Sequence, residues 1–168
     1  METVLVEKKN INEVVELLKQ DEVVAFPTET VFGLGVKFGN LSALEKIYEI
    51  KHRSHSKAVS LMIYDSQDIE KYAYVNTNAQ KLIDEFMPGM ITLVLKKKSI
   101  LSDDFTAGLE TIGIRIPDDP FVLESFKSVS WPEILALVTN IGPTLFNNSN
   151  TNGSSGILIP IVSNPAVK

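Results

Sequence analysis

Two threonines and a glutamate follow a short apolar run near the start of the chain. The run is Val23–Phe26, and Pro27 ends it because proline has no backbone N–H for a sheet ladder. Thr28 and Thr30 carry hydroxyls, which both donate and accept hydrogen bonds, and Glu29 lies between them. Crevices beside strand ends are common ligand sites, so the segment predicts a pocket for a hydroxyl-bearing substrate. The alternative interpretation is a threonine-rich turn.

Three fixed cations follow the next helical segment in the pattern Lys51-x-Arg53-x-x-x-Lys57. The planar guanidinium of arginine matches phosphate oxygens in pairs, and lysine supplies a compact point charge. The pattern predicts a site that neutralises a polyphosphate or a departing pyrophosphate. The alternative is a helix C-terminus, whose dipole favours cations. The chain has no Walker loop, and Gly33-Leu34-Gly35 lacks the third glycine of a dinucleotide fingerprint.

A third group of polar residues lies on a strand-like run. Thr111, Gly113 and Arg115 alternate along it, so the period of two puts them on one face, opposite Ile114. The small Gly113 leaves room for a ligand, and the arginine fork can hold a carboxylate. The alternative is a surface arginine paired with an acidic residue at position 118 or 119.

Composition restricts the class of protein. The length of 168 residues favours one domain over 1–168, since domains hold about 100–200 residues. The absence of cysteine excludes a disulfide framework, a thiolate zinc site and a cysteine nucleophile. His52 and His55 are the only histidines, and with no third histidine or acidic partner evident nearby we expect no permanent metal site.

Charge and hydropathy restrict the partners. The net charge of −5 argues against a protein whose whole surface binds nucleic acid. Basic residues cluster at 46–57 and again at Lys96–Lys98, which fits a small anionic ligand or, alternatively, a solvated helix end and an exposed strand end. Neither a signal peptide nor an apolar run of about 20 residues is visible, so we expect a cytoplasmic location without a membrane partner.

The apolar periodicity predicts an α/β fold with both parallel and antiparallel strand pairs. The predicted helices are 10–20, 43–51 with a Ser42–Glu45 capping box, 66–72, 77–87, 118–126 and one that begins at Pro132. The predicted strands are 23–26, 58–63, 91–95, 111–116 and 144–146. Gly33, Gly35 and Gly39 are expected to mark turns or close backbone approach, and 99–109 to form a loop.

Taken together, these segments resemble the YrdC/TsaC family, the threonylcarbamoyl-AMP synthases that start the t6A modification of tRNA. The resemblance is collinear from residue 20 to about 125. The matching segments are Val24–Gly35, Lys51-His52-Arg53 with Lys57, Pro88–Leu95 with Met90 in place of the usual second proline, Thr111–Pro117 and Asp119-Pro120. From about residue 147 the chain is atypical or shortened: Asn150 keeps the family asparagine, and Asn148 replaces its serine.

The resemblance implies a YrdC-like twisted mixed β-sheet flanked by helices, in a single domain. It implies a nucleotidyltransferase that joins L-threonine, bicarbonate and ATP, with Mg²⁺ bridging phosphates and a downstream threonylcarbamoyl transferase complex as partner. The implied site has Lys51 and Arg53 as catalytic residues, Thr28, Arg115 and Asn148 on threonine, and Lys51, Arg53, Lys57, Thr111 and Asn150 on ATP.

Two other functions stay open at this point. One is a non-catalytic module of the same fold whose basic face holds tRNA or double-stranded RNA, and the altered Asn148 region is compatible with it. The other is a carbamoyl-transfer domain like that of hydrogenase-maturation proteins. That function is less favoured because those proteins have longer chains with zinc modules, and this chain lacks the length and the cysteines.

Overall fold

The computed structural model describes Val6 and residues 10–26, 28, 32–128 and 133–138, the last range for its backbone only. Within those residues, no helix combines the length and the apolar character needed to cross a membrane. The predicted strand at 144–146 and the segment from Asn147, with Asn148 and Asn150, lie outside the described residues.

The described elements alternate between helices and short strands. The helices are α1 Ile11–Lys19, α2 Leu41–Lys51, α3 Ile69–Tyr72 preceded by a 3-10 turn at Ser66–Asp68, α4 Thr77–Phe86, α5 Asp103–Thr106 and α6 Pro120–Ser128. The strands are β1 Val24–Phe26, β2 Gly33–Lys37, β3 Ser60–Ile63, β4 Leu93–Lys96, β5 Thr111–Arg115 and β6 Glu133–Val138. Most of the predicted elements are confirmed, with their ends shifted by one or two residues.

The strands form one six-stranded sheet in the order β1-β2-β6-β3-β5-β4. Strands β3 and β5 are parallel, whereas the other neighbours pair antiparallel. The parallel pair needs a crossover connection, and α3 and α4 lie in that connection. The predicted mixed α/β fold is confirmed.

One face of the sheet is covered along its width. Helices α2 to α5 pack on it, and the buried strand residues of this first core are Ala25, Leu34, Val36, Leu61, Ile63, Leu93, Ile112 and Ile114. Full burial of one such aliphatic side chain contributes about 1.5–3 kcal/mol. The register is therefore firmly set, because a slip of one residue would turn this whole apolar set toward the other face.

Among the residues that the structure describes, helices α1 and α6 cover the second face over only part of its width. These helices bury Val24 and Phe26 of β1 and Met62 of β3, and the Phe26 and Phe126 rings meet edge to face at 5.9 Å. The side chains of β5 and β4 that point to this face are not part of that second core. In the described part of the chain, this uneven cover leaves the β5 and β4 side of that face available for a site.

Turns at Gly33 and Gly35 are a wrong prediction, whereas the predicted turn at Gly39 is confirmed. Gly33 and Gly35 lie inside β2, which pairs with β1 on one side and β6 on the other, whereas Gly39 has a φ of 94° in the turn before α2. Glycine has a low intrinsic preference for strands, but pairing on both edges overrides that preference. A propensity argument sees only the local sequence and so misses such a strand.

Two further predictions need correction. The helix expected to begin at Pro132 is wrong, because Glu133–Val138 forms β6 between β2 and β3. The segment includes good helix formers such as Leu135 and Ala136. It nevertheless forms a strand, because it hydrogen-bonds to β2 on one side and to β3 on the other. The stretch 99–109 is also not a continuous loop, since the short helix α5 lies within it.

The N-terminus of α2 is capped by a residue other than the predicted Ser42. Asn40 is the N-cap, and its Oδ1 accepts hydrogen bonds from the backbone N–H groups of Ser42 at 2.9 Å and Ala43 at 3.2 Å. The Ser42 hydroxyl donates to the same oxygen at 2.7 Å. The predicted Ser42–Glu45 capping box is therefore wrong, because Ser42 already has helical geometry.

We predict that Asn40→Ala lowers the free energy of unfolding by about 1 kcal/mol, the usual effect of removing an N-cap side chain. Urea denaturation monitored by circular dichroism measures the change. Glu45→Ala is the matched control and should change stability by less, since Glu45 has no capping role here. A larger loss in the Glu45 variant than in the Asn40 variant would contradict the assigned cap.

Candidate functional site

The open half of the second sheet face lies over β3, β5 and β4. On β4, Leu93 is buried whereas Val94 is 70% exposed, and Thr92 and Lys96 are exposed on the same side as Val94. The register places Val94 opposite Gly113, and Gly113 opposite Ser60. The three strands thus form a shallow floor that is open to solvent.

Gly113 keeps this floor low. A Cβ atom built on Gly113 would lie 3.1 Å from Ser60 Oγ and 3.3 Å from Thr92 Cγ2. Both distances are shorter than ordinary van der Waals contact, so a larger residue would displace both neighbours and fill the space above the sheet. The glycine therefore leaves a polar recess between two hydroxyl-bearing residues.

Arg115 lies two residues further along the same face of β5. It is 6% exposed and pairs across the ladder with Met62, whereas Ile112 and Ile114 point into the first core. The predicted shared face of Thr111, Gly113 and Arg115 is confirmed, and Arg115 is buried rather than at the surface, where the alternative put it. Asp119 instead accepts hydrogen bonds from the N–H groups of the first turn of α6.

The predicted cations lie at the end of α2 and in residues 52–58, the cationic loop, which leads into β3. His52 ends the helix in the left-handed conformation, with φ of 47°. Arg53 folds over the loop: its Nη2 donates to the carbonyl of Ala58 at 3.1 Å and its Nε to that of Lys57 at 3.4 Å. Lys57 itself is exposed. Two of the five N–H donors of Arg53 are thus used on the backbone, and the guanidinium is held in place.

Lys51, in the last turn of α2, has an altered acidity. Partial burial and the nearby Arg53 guanidinium lower the pKa of Lys51, because both disfavour a second positive charge. An anion bound between the two residues would relieve this repulsion. The pair therefore favours binding of a phosphate group over binding of a neutral ligand.

The β3–β5 register places the end of the cationic loop beside the start of β5. Ser60, the first residue of β3, lies opposite Gly113, and the carbonyls that Arg53 contacts, those of Lys57 and Ala58, come three and two residues earlier. Because the pairing is parallel, this end of β3 lies beside the end of β5 that begins with Thr111. Arg115 lies four residues away from Thr111, about 13 Å along the strand. The structure thus places the loop near Thr111, a predicted ATP residue, whereas Arg115 lies at the other end of β5.

Thr28 follows β1, at the far side of the sheet. Strands β2, β6 and β3 separate β1 from β5, a distance of roughly 19 Å at about 4.8 Å per strand. The sheet alone therefore does not bring the backbones of Thr28 and Arg115 together. Asn148 and Asn150 lie outside the described residues, so their predicted roles stay predictions.

The second basic cluster divides into separate contacts. Lys97 is bound to Asp103 at 2.5 Å and to the Thr106 hydroxyl at 2.9 Å. Lys98 donates to the carbonyl of Glu70 and lies 5.5 Å from the centroid of the Tyr74 ring. Lys96 faces the open floor, paired across the ladder with Thr111. The cluster is therefore only in part an exposed strand end.

The two histidines occupy different environments. His52 is exposed at the end of α2, whereas His55 stacks on the Tyr48 ring at 4.6 Å and has its Nδ1 3.4 Å from Glu45. The expectation that the histidines have no acidic partner nearby is therefore wrong for His55, whose partner Glu45 lies ten residues earlier on α2. In the part of the chain that the structure describes, no three side chains of His, Asp or Glu are grouped so that they could hold a metal ion.

Two residues of the floor were missed as site candidates, Ser60 and Thr92, whereas Lys96 was predicted only as part of the basic cluster Lys96–Lys98. The alternation of Thr92, Val94 and Lys96 along β4 was a visible signal for a common face. Ser60 had no such signal, because its position depends on pairing with a strand about fifty residues away in the sequence.

A family model that spans the Sua5, YciO and YrdC proteins, described as telomere recombination, matches residues 16–144. The chain belongs to this family. The resemblance seen in the sequence motifs is thereby confirmed.

Two relatives and a solved structure support the same family assignment. A relative from Methanocaldococcus jannaschii is 42% identical over 115 residues, which cover 66% of this chain and 55% of the relative. The threonylcarbamoyl-AMP synthase of Bacillus subtilis is 42% identical over 118 residues, covering 69% of this chain and 34% of that protein. The structure of P. abyssi Sua5 in complex with L-threonine has a TM-score of 0.73 and 30% identity, over 79% of this chain and 39% of that chain. The chain thus spans about half or less of the length of these relatives.

The lowered pKa of Lys51 leads to a prediction about anion binding. Only the charged amine attracts phosphate, so affinity for inorganic tripolyphosphate should fall as pH rises through this lowered pKa, before an ordinary lysine would titrate. In Lys51→Arg the positive charge persists, so the loss of tripolyphosphate affinity should move to higher pH. Isothermal titration calorimetry from pH 7 upward measures the affinity of the wild type and of the variant. Identical pH profiles for the two proteins would contradict the role of Lys51.

Proposed function

We propose that this chain forms threonylcarbamoyl-AMP and pyrophosphate from L-threonine, bicarbonate and ATP, for the t6A modification at position 37 of tRNA. The observation that carries the proposal is the place of the cationic loop. It leads directly into β3, whose Ser60 lies opposite Gly113 on the open floor. The name of the B. subtilis relative and the L-threonine bound to P. abyssi Sua5 support the same activity.

The proposed reaction needs positioning and charge neutralisation rather than a covalent nucleophile. The amine of threonine first forms a bond to the carbon of bicarbonate, and a C–O bond of bicarbonate breaks so that water leaves and an N-carboxylate remains. An oxygen of this carboxylate then forms a bond to the α-phosphorus of ATP, and the bond from that phosphorus to the oxygen of the leaving pyrophosphate breaks. Lys51 and Arg53 would stabilise the charge that develops on the pyrophosphate, and Lys57 would contact the terminal phosphates.

The remaining binding residues are proposed in the roles that the family resemblance implies. Arg115 would hold the carboxylate of threonine, and Thr28 its polar groups. Thr111, beside the cationic loop, would contact the nucleotide. Asn148 on threonine and Asn150 on ATP stay part of the proposal. Mg²⁺ would enter with ATP as its phosphate-bound ion, since the described residues offer cations rather than carboxylates to the phosphates.

Several finer assignments belong to the same proposal. The reaction is that of a nucleotidyltransferase. Its product would pass to a threonylcarbamoyl transferase complex, because a mixed anhydride with AMP is a reactive acyl donor. We further propose a cytoplasmic enzyme with a single domain over residues 1–168.

The RNA-binding alternative has less support. Lys97 and Lys98 are engaged with Asp103 and the carbonyl of Glu70, so the second basic cluster offers a phosphate backbone fewer charges than the sequence suggested. Strong RNA binding would show a steep dependence on salt concentration, because many phosphates would be neutralised.

The first test is pyrophosphate release from ATP by the purified protein, with and without threonine and bicarbonate. We expect release that requires both co-substrates, and a loss of at least about 100-fold in kcat/KM for Lys51→Ala, since a donor to developing charge is typically worth that much. Threonine-independent hydrolysis of ATP, or unchanged turnover in the Lys51 variant, would sink the proposal.

Arg115→Lys tests the threonine site. Lysine keeps the charge but loses the planar fork for a carboxylate, so KM for threonine should rise about tenfold while KM for ATP stays unchanged. Steady-state kinetics with each substrate varied in turn measures the two constants. A rise in the ATP constant alone would place Arg115 on the nucleotide instead.

A further inference from the structure

The cationic loop is held from below by a buried tyrosine. Tyr48 lies in the third turn of α2, is 4% exposed, and donates its hydroxyl to the carbonyl of Lys57 at 2.9 Å. The same carbonyl oxygen also accepts a hydrogen bond from the Nε–H of Arg53 at 3.4 Å. Burial raises the pKa of Tyr48, partly offset by Arg53, so the hydroxyl stays protonated and remains a donor.

His55 closes this arrangement from the solvent side. Its ring stacks on Tyr48 with centroids 4.6 Å apart and planes inclined by 29°. Its Nδ1 lies 3.4 Å from the carboxylate of Glu45, which is three residues before Tyr48 on the same helix face. The tip of the loop is therefore folded back onto α2.

Within the loop the hydrogen bonds are short-range: Ser54 Oγ lies 2.8 Å from Ser56 Oγ and accepts a hydrogen bond from the Ser56 N–H at 3.3 Å. The backbone contacts of the loop include Arg53 N to the carbonyl of Tyr48 at 3.0 Å and Lys57 N to that of Ser54 at 3.1 Å. Most side chains from His52 to Lys57 are exposed. The direction of the Lys57 carbonyl determines how the chain enters β3 and where the Arg53 guanidinium can rest.

We propose that Tyr48, with His55 stacked on it, is a positioning residue that holds the loop 52–58 in the conformation in which Arg53 and Lys57 bind a polyphosphate. Neither side chain needs to touch the substrate. The inference rests on the proposed function for its substrate, ATP, but it concerns how the anion site is built.

Tyr48→Phe tests the inference with a minimal change. The variant keeps the buried ring and removes only the hydroxyl. Because one neutral hydrogen bond orders the loop, we expect the dissociation constant for inorganic tripolyphosphate and KM for ATP to rise about three- to tenfold, with KM for threonine unchanged. Tyr64→Phe is the matched control, since Tyr64 is an exposed tyrosine on the chain after β3, and it should change neither constant.

His55 is tested by loss and rescue. His55→Ala should weaken tripolyphosphate binding, and His55→Phe should restore it, because phenylalanine can stack on the Tyr48 ring without a polar group. A phenylalanine variant as weak as the alanine variant would overturn the stacking role of His55.

Binding and turnover separate the two proposals. If the wild type binds tripolyphosphate but releases no pyrophosphate, the proposed function fails. The positioning role is then still tested by comparing the tripolyphosphate affinities of the wild type and Tyr48→Phe. Tripolyphosphate affinity that is equal in wild type and Tyr48→Phe would overturn the positioning role. A wild type without affinity for tripolyphosphate would overturn the anion site and this inference with it.

Discussion

The parallel pairing of β3 with β5 is the constraint on which the candidate site depends. Leu61 and Ile63 of β3, with Ile112 and Ile114 of β5, are almost fully buried in the first core. Their burial fixes the register, because any one-residue slip would expose them. The same register necessarily puts Ser60 opposite Gly113 on the other face. A hydrophobic preference on one side of the sheet therefore determines which polar residues meet on the other.

The cationic loop inherits its place from this pairing. It joins α2, which is packed on the first core through Leu44 and Ile47, to the start of β3. Both ends of the loop are thus fixed by apolar burial, and its interior is tied by hydrogen bonds to two successive carbonyls. Partial burial of the Lys51 amine, and then its repulsion by the Arg53 guanidinium, have an electrostatic cost that lowers the pKa of Lys51. Such a cost is characteristic of a site prepared for an anion.

The open floor explains why the chain needs no catalytic triad for its proposed reaction. Helices α1 and α6 cover β1 and part of β3, whereas Thr92 and Val94 are exposed to solvent and Gly113 between them is half-buried. A sheet with a low floor and cations at one edge can align two substrates and neutralise a leaving group. These are the contributions that phosphoryl chemistry takes from a protein.

The sequence by itself determined the local elements and the chemical character of the site: helical and strand periodicity, the Lys51–Arg53–Lys57 pattern, and the common face of Thr111, Gly113 and Arg115. Those features depend on neighbours within a few residues. Only the tertiary structure decided that Gly33 and Gly35 form a strand, that Glu133–Val138 is a strand and not a helix, and that Ser60 and Thr92 flank Gly113. Each of these outcomes depends on backbone pairing between segments distant in the chain, where unpaired N–H and C=O groups would be costly to bury, and no local preference records that cost.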